Sequence, residues 1–251
     1  MRNKNRASIL LFDIETMANL GWVWGKWEQD VIAFKKPWYM LSFAYKWLGE
    51  RGVKAYALPD FRGYKKDRAN DKLLCEKLWE LFDEADIILA HNGDAFDIKK
   101  ANMRFLKHGF LPPSPYKQLD TKKIAKRYFK FDSNSLNELA KNLGIGRKIP
   151  HEGWDLWFGC AERDDPKSWA KMVKYNKHDV LLLEAVYLKM RAWVNNHPNL
   201  NVFNETVEQC PNCGGNLFRR GFAVSRVRRY QRFQCNKCGA WSQKPVTGVV
   251  R

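Results

Sequence analysis

Near the start of the chain an apolar run ends in charge, as Leu10-Leu11-Phe12-Asp13-Ile14-Glu15-Thr16. Ser8 to Phe12 has the length and continuity of a fully buried strand, which requires a sheet covered on both faces. Residues two apart on a strand share a face, so Asp13 and Glu15 project side by side from its end. Carboxylates held that close repel each other unless protons or a cation intervene, and a divalent metal with oxygen ligands is the simplest neutraliser. Taken alone, the pair is equally well explained by a solvated strand end.

The rest of the pattern supplies the layers such a strand needs. Met40 to Trp47 and Val53 to Leu58 read as two further strands around the turn Gly49-Glu50-Arg51-Gly52, giving a meander at the start. Leu74, Leu78, Leu81 and Phe82 have helical spacing within 71–86, and Ile87 to Ala90 reads as a fourth, buried strand. Helices are expected over 97–108, 121–129, 135–143 and 167–194, the third stopped by Gly144 and Gly146 and the last opened by Asp164 to Pro166. A mixed β-sheet flanked by helices, an α/β architecture, follows.

Two more carboxylate segments stand beside the first. In His91-Asn92-Gly93-Asp94-Ala95-Phe96-Asp97, Asp97 falls near the start of a helix after a strand, where loops build sites. Asp94 fits there as a helix cap. In the long last helix, Tyr175 and Asp179 are four apart and share a face, while His178 points elsewhere.

Together these segments resemble the DEDD, or DnaQ-like, exonucleases of the ribonuclease H-like superfamily. Asp13-Ile14-Glu15 matches the first motif, Asn92 with Phe96 and Asp97 the second, and Tyr175 with Asp179 the tyrosine form of the third. Leu119-Asp120-Thr121 also resembles a recurrent family segment. The resemblance covers about residues 7–194 and implies a ribonuclease H-like fold with a two-metal phosphodiesterase site. In that reading Asp13 bridges two Mg²⁺ or Mn²⁺ ions, Glu15 and Asp179 complete one site, Asp97 serves the other, and Tyr175 orients water. The expected activity is 3′–5′ exonucleolytic cleavage of nucleic acid, DNA ahead of RNA. A structure-specific endonuclease and a non-catalytic nucleic-acid-binding protein are the alternatives.

Between the first two strands lies Gly21-Trp22-Val23-Trp24-Gly25-Lys26-Trp27, which the motif does not require. Its tryptophans are suited either to stacking on unpaired bases or to packing over the sheet edge. Lys99, Lys100, Arg104 and Lys107, and the run Lys122, Lys123, Lys126, Arg127 and Lys130, are candidates for tracking a phosphate backbone or for a solvated helix face.

A formal net charge of +17 predicts an acidic partner, nucleic acid first. Just over half of the excess sits in Gln209 to Arg251, which holds nine basic residues and no acid. Cys210, Cys213, Cys235 and Cys238 form two C-x₂-C pairs separated by 21 residues, the pattern of a zinc ribbon with one structural Zn²⁺. So small a module lacks enough core without its metal. Cys75 and Cys160 are left over as ordinary thiols. From Val224 to Cys235 the alternation sets Arg226, Arg228, Tyr230 and Arg232 on one strand face, with Arg229 as an intruder. That face suits phosphates and bases and resembles ribbons of transposases and transcription factors, with protein docking as the other option. The expected organisation is a nuclease domain over 1–195, a linker over 196–208 and a ribbon over 209–251. Without a secretory signal or a long apolar run, an intracellular, soluble protein is expected, its oligomeric state open.

Overall fold

The computed structural model describes residues 7–27, 30–201 and 209–246. Its main sheet has five strands in the order β5-β4-β1-β6-β7. They are β1 (Ile9–Thr16), β4 (Met40–Trp47), β5 (Lys54–Ala57), β6 (Ile87–Ala90) and β7 (Lys117–Asp120). β4 runs antiparallel to β1 and β5, whereas β6 is parallel to β1 and to β7. This is the expected mixed, ribonuclease H-like sheet.

β1 sits at the centre, and its apolar run is continuous because both faces are covered. Leu10, Leu11 and Phe12 are fully buried, and Phe12 meets Phe82 edge to face at 5.0 Å. Phe82 belongs to α1 (Lys72–Asp83) and also packs against Phe105 of α2 (Asp97–Lys107). Between these helices, buried Asp71 pairs with Arg104, accepts from the Met40 N–H at 2.8 Å and meets His108 Nε2 at 2.7 Å. Arg104 is therefore committed to the core, against both the phosphate track and the solvated helix face open to it in the sequence.

Further helices are α3 (Thr121–Tyr128), α4 (Leu136–Asn142), α5 (Trp154–Ala161) and α6 (Pro166–Met190), the last followed by a 3₁₀ turn over Arg191–Trp193. The sequence reading missed α5, β7 and the short pair β2 (Leu20–Trp22) and β3 (Ala33–Lys36). Asp94 does not cap α2: Phe96 stands at that position, and Asp94 instead pairs with Lys123.

The chain divides into two compact units, one of Ser8–Lys123 with Asp132–Val186, the other including Ile124–Phe131 and the residues from Tyr187 onward. The second unit contains a three-stranded sheet in the order β10-β9-β8, from β8 (Leu217–Val224), β9 (Arg229–Cys235) and β10 (Trp241–Pro245). The single alternating strand expected over 224–235 is broken here. Ser225 N–H donates to Arg228 C=O at 2.8 Å and closes a hairpin, so Arg226 and Arg228 lie in its turn. Among the described residues no helix is long and apolar enough to cross a membrane.

Candidate functional site

β1 extends through the acidic motif, so Asp13 and Glu15 lie within the strand, opposite Ala44 and Ser42 of β4. The helix α6 brings its buried face to the same place. Asn176, fully buried, donates from Nδ2 to Asp13 Oδ2 at 2.6 Å and to the Asp13 carbonyl at 3.1 Å. Ser42 Oγ donates to the Asn176 side-chain oxygen at 3.2 Å, which fixes that amide's orientation. Ligand oxygens of Asp13, Glu15 and Asp179 all fall within 4.8 Å of one another. Asp97 lies outside this closest group, but its carboxylate accepts from the Ile14 N–H at 3.4 Å, between the two acids of β1.

Burial and mutual repulsion make the cluster electrostatically expensive without a cation. Burial, then Asp97, Glu15 and Asp179, push the Asp13 carboxyl well above its ordinary range against the pull of Lys148. Burial and Asp179 hold Glu15 up to about 8, and burial raises Asp97 to about 6 although the Ile14 N–H opposes it.

Lys148, which sequence reasoning missed, supplies positive charge. Its ammonium bonds Asp179 Oδ2 at 2.6 Å and the Tyr175 hydroxyl at 3.0 Å. Burial works to lower this ammonium's pKa, but Asp179 and Tyr175 outweigh it and raise it. Tyr175 is also held by rings: His151 meets it edge on at 4.9 Å and meets Trp157 at 5.0 Å. Burial followed by Asp179 raises the Tyr175 phenol, so it stays protonated as a donor. The other oxygen of Asp179 is buried and has no hydrogen-bond partner. An acceptor left bare beside two other carboxylates fits a hard divalent cation, the class of ion that takes all-oxygen ligands.

The loop of the second motif is organised by Asp120 of β7, whose carboxylate accepts from the N–H groups of Asn92, Lys122 and Lys123 at 2.9, 2.8 and 3.3 Å. Asn92 adopts φ 64° there, and Phe96 is left 41% exposed with the Lys100 ammonium 4.7 Å from its ring centre. His178, excluded from the site on helical geometry, meets the Arg147 carbonyl at 2.8 Å.

In the second unit the four cysteine sulfurs also lie within 4.8 Å of one another. Sγ separations are 3.6 Å for Cys210 and Cys238 and 3.5 Å for Cys213 and Cys235, close to the edge of a tetrahedron with metal–sulfur bonds of about 2.3 Å. The knuckles turn at Gly214 and Gly239, with φ of 70° and 76°. The Gly215 and Lys237 N–H groups point at Cys213 and Cys235 sulfurs at 3.4 and 3.3 Å, the kind of donor that favours thiolate. Burial opposes ionisation of Cys235, but N–H groups of Cys238 and Lys237 prevail and lower its thiol to about 7. The small sheet and this cluster fit a ribbon. Around it, Arg229 lies over the Phe222 ring at 3.6 Å, Arg232 over Trp241 at 5.8 Å, and Tyr230 is half-buried on β9.

A mixed sheet whose central strand carries clustered carboxylates, completed by an acid from a packed helix, defines an α/β protein with a candidate divalent-metal site. The RNase_H_2 family model, described as RNase_H superfamily, matches residues 47–191, more than half of the sequence, and the chain belongs to that superfamily. No curated protein matches the chain. Among solved structures, the family B DNA polymerase from the hyperthermophilic archaeon Pyrobaculum calidifontis is similar, with a TM-score of 0.49 and 17% identity. The similarity covers 74% of this chain and 25% of the polymerase, so the chain spans about a quarter of that protein's length.

Proposed function

We propose that the chain is a divalent-metal-dependent nuclease of the tyrosine DEDD type, cutting nucleic acid from the 3′ end, with DNA the favoured substrate. The observation that carries this reading is the convergence of Asp13, Glu15 and Asp179 within 4.8 Å around a buried Asp179 oxygen that has no other partner. Asp13, Glu15, Asp179 and Asp97 would hold two Mg²⁺ or Mn²⁺ ions, which supply an acidified water and charge stabilisation of the leaving oxygen. Around them the chain's own groups have separate tasks. Asn176 fixes the Asp13 carboxylate, and the Tyr175 hydroxyl, which accepts from Lys148 at 3.0 Å, would keep its own O–H to orient water. Lys148 holds Asp179 and Tyr175 together and would offer a positive charge to a phosphate bound at the carboxylates. Asn92 and Phe96 would contact the nucleotide at the loop edge.

The C-terminal module is read as a zinc ribbon that tethers substrate; of the linker expected over 196–208, residues 202–208 lie outside the described residues. One Zn²⁺ bound by Cys210, Cys213, Cys235 and Cys238 has no open position and is structural. Arg226 and Arg228 at the hairpin tip, with Arg229, Tyr230 and Arg232 on the following strand, would meet the nucleic acid.

A cleavage panel on 3′- and 5′-labelled DNA and RNA, with Mg²⁺ or Mn²⁺, tests the activity. Shortening from the 3′ end is expected, with Asp13→Ala reducing the rate by at least about 10³-fold while folding is kept. Products from a circular single strand would replace the exonuclease reading with an endonuclease one. Full activity in Asp13→Ala would remove the carboxylate cluster from the chemistry.

A further inference from the structure

At the metal end of the sheet, β1 and β4 are joined by an arm. Their register closes with Thr16 opposite Met40. The neck beyond is tied by the Met17 N–H to the Tyr39 carbonyl at 3.0 Å and by the Trp38 N–H to Asn19 Oδ1 at 2.7 Å. Past the neck, β2 and β3 pair antiparallel, Leu20 with Lys36 and Trp22 with Ala33. Gly21 lets this ribbon close, because a Cβ there would stand 2.4 Å from Val31 Cγ1.

The arm turns its aromatic residues outward. Trp22, Trp24 and Trp27 are 59%, 89% and 74% exposed, so they do not pack over the sheet edge. Aromatic surface concentrated in this way marks a contact site, since leaving it in water is unfavourable. Ammonium groups alternate with it: Lys26 lies 4.9 Å from the Trp27 ring centre and Lys35 lies 5.5 Å from that of Trp22. Between arm and carboxylates the same chemistry continues. A cavity of about 380 Å³ at the neck is lined by Thr16, Trp38, Lys100, Trp154 and Trp157. Lys100 bonds Thr16 Oγ1 at 3.0 Å and sits 4.2 Å from the Trp38 ring centre, while the Trp157 ring meets that of Tyr175 edge on at 6.4 Å. Aromatic faces and cations thus run from the acid cluster out to the arm.

We propose that the β2–β3 arm binds the unpaired strand of a nucleic-acid substrate, its tryptophans stacking on bases while Lys26, Lys35 and Lys100 meet phosphates. This rests on the nuclease reading for its choice of ligand. Unpaired bases are the fitting partner because a duplex keeps its base faces stacked inside, whereas single strands offer a face at every nucleotide. An ammonium beside the Trp22 ring and another beside the Trp27 ring favour a polyanion over an apolar protein surface.

The test measures binding by the full chain to a fluorescein-labelled oligothymidylate and to a blunt duplex, by anisotropy with no added Mg²⁺ or Mn²⁺ and no chelator, so that cleavage does not interfere and the four-cysteine site keeps its metal. Replacing both Trp22 and Trp24 by Ala should raise the single-strand Kd about tenfold or more, with a smaller effect on duplex. The salt slope should stay as in the wild type, because no phosphate contact is lost, whereas Lys35→Ala should reduce it. Trp24→Phe should retain most of the affinity, and an unchanged Tm excludes misfolding. An unchanged single-strand Kd in the double variant overturns the proposal, as does a change confined to oligomeric state. Should the wild type bind the oligonucleotide yet cleave nothing with Mg²⁺ or Mn²⁺, the nuclease reading fails while the arm is still judged by its Kd.

Discussion

Glu15 is the residue where burial and function pull hardest against each other. With no cation, burial and Asp179 hold its carboxyl up to about 8, from 4.5, against Lys148. A folded pKa above the unfolded one means that the native state holds the proton more tightly. Its stabilising contribution is complete below about 4.5 and is lost as the pH rises through about 8. Glu15→Gln keeps the shape and removes the titration, so metal-free wild type should lose Tm relative to Glu15→Gln as pH climbs across that window. Mg²⁺ or Mn²⁺ should stabilise the wild type more at the upper end, where fewer protons must be displaced. A Tm difference that stays flat with pH would show that this carboxyl ionises freely. Strand period and helix period put Asp13 with Glu15, and Tyr175 with Asp179, on one face, but that Asp13, Glu15 and Asp179 come together was expected only through the family resemblance. Lys148 and Asn176 were not legible in the sequence, since their roles arise only from approach across the fold: Asn176 reaches Asp13 from 163 positions away.

At the scale of elements, β1, β4 and β6 could be read from apolar runs because each is covered on both faces. The arm could not, because β2 and β3 are exposed on nearly every residue and carry no burial pattern. The ribbon hairpin misled for another reason. Its turn, Ser225-Arg226-Val227-Arg228, contains no glycine or proline and continues the alternation of the strands beside it. Among the described residues the buried cluster of this element comprises Cys210, Cys213, Cys235 and Ala240, with Ala192, Leu217 and Cys238 packed against it, so on the proposed reading its metal sets the fold. Purified protein should therefore contain zinc in a one-to-one ratio, and Cys213→Ser should abolish it and melt the β8–β10 sheet. Hydrogen exchange resolved by segment checks this: protection should vanish over 217–245 while β1 and β4 keep theirs. Retained protection in the zinc-free variant would mean the sheet stands without its metal.

For the whole molecule, the +17 charge separates into parts with different work. On the proposed nuclease reading, the acidic centre needs cations to become usable, and a basic surface brings a phosphodiester to it against the repulsion of those same acids. Arg219, Arg220, Arg226 and Arg228 are exposed on the ribbon, where the local sequence has no acid to offset them. Each phosphate contact contributes about 0.7 to 0.9 to the slope of log affinity against log salt. Changing all four to Gln in the full chain leaves the cysteines in place and should reduce that slope by roughly three, with the greatest loss of affinity at low salt. The arm tryptophans contribute through stacking, so their removal lowers affinity at every salt concentration alike. Titrating both variants from low to physiological salt separates the two contributions, because one set of curves changes gradient and the other only shifts. If the arginine variant keeps the wild-type gradient, the ribbon faces a protein, and the charge that carries substrate lies on the nuclease unit.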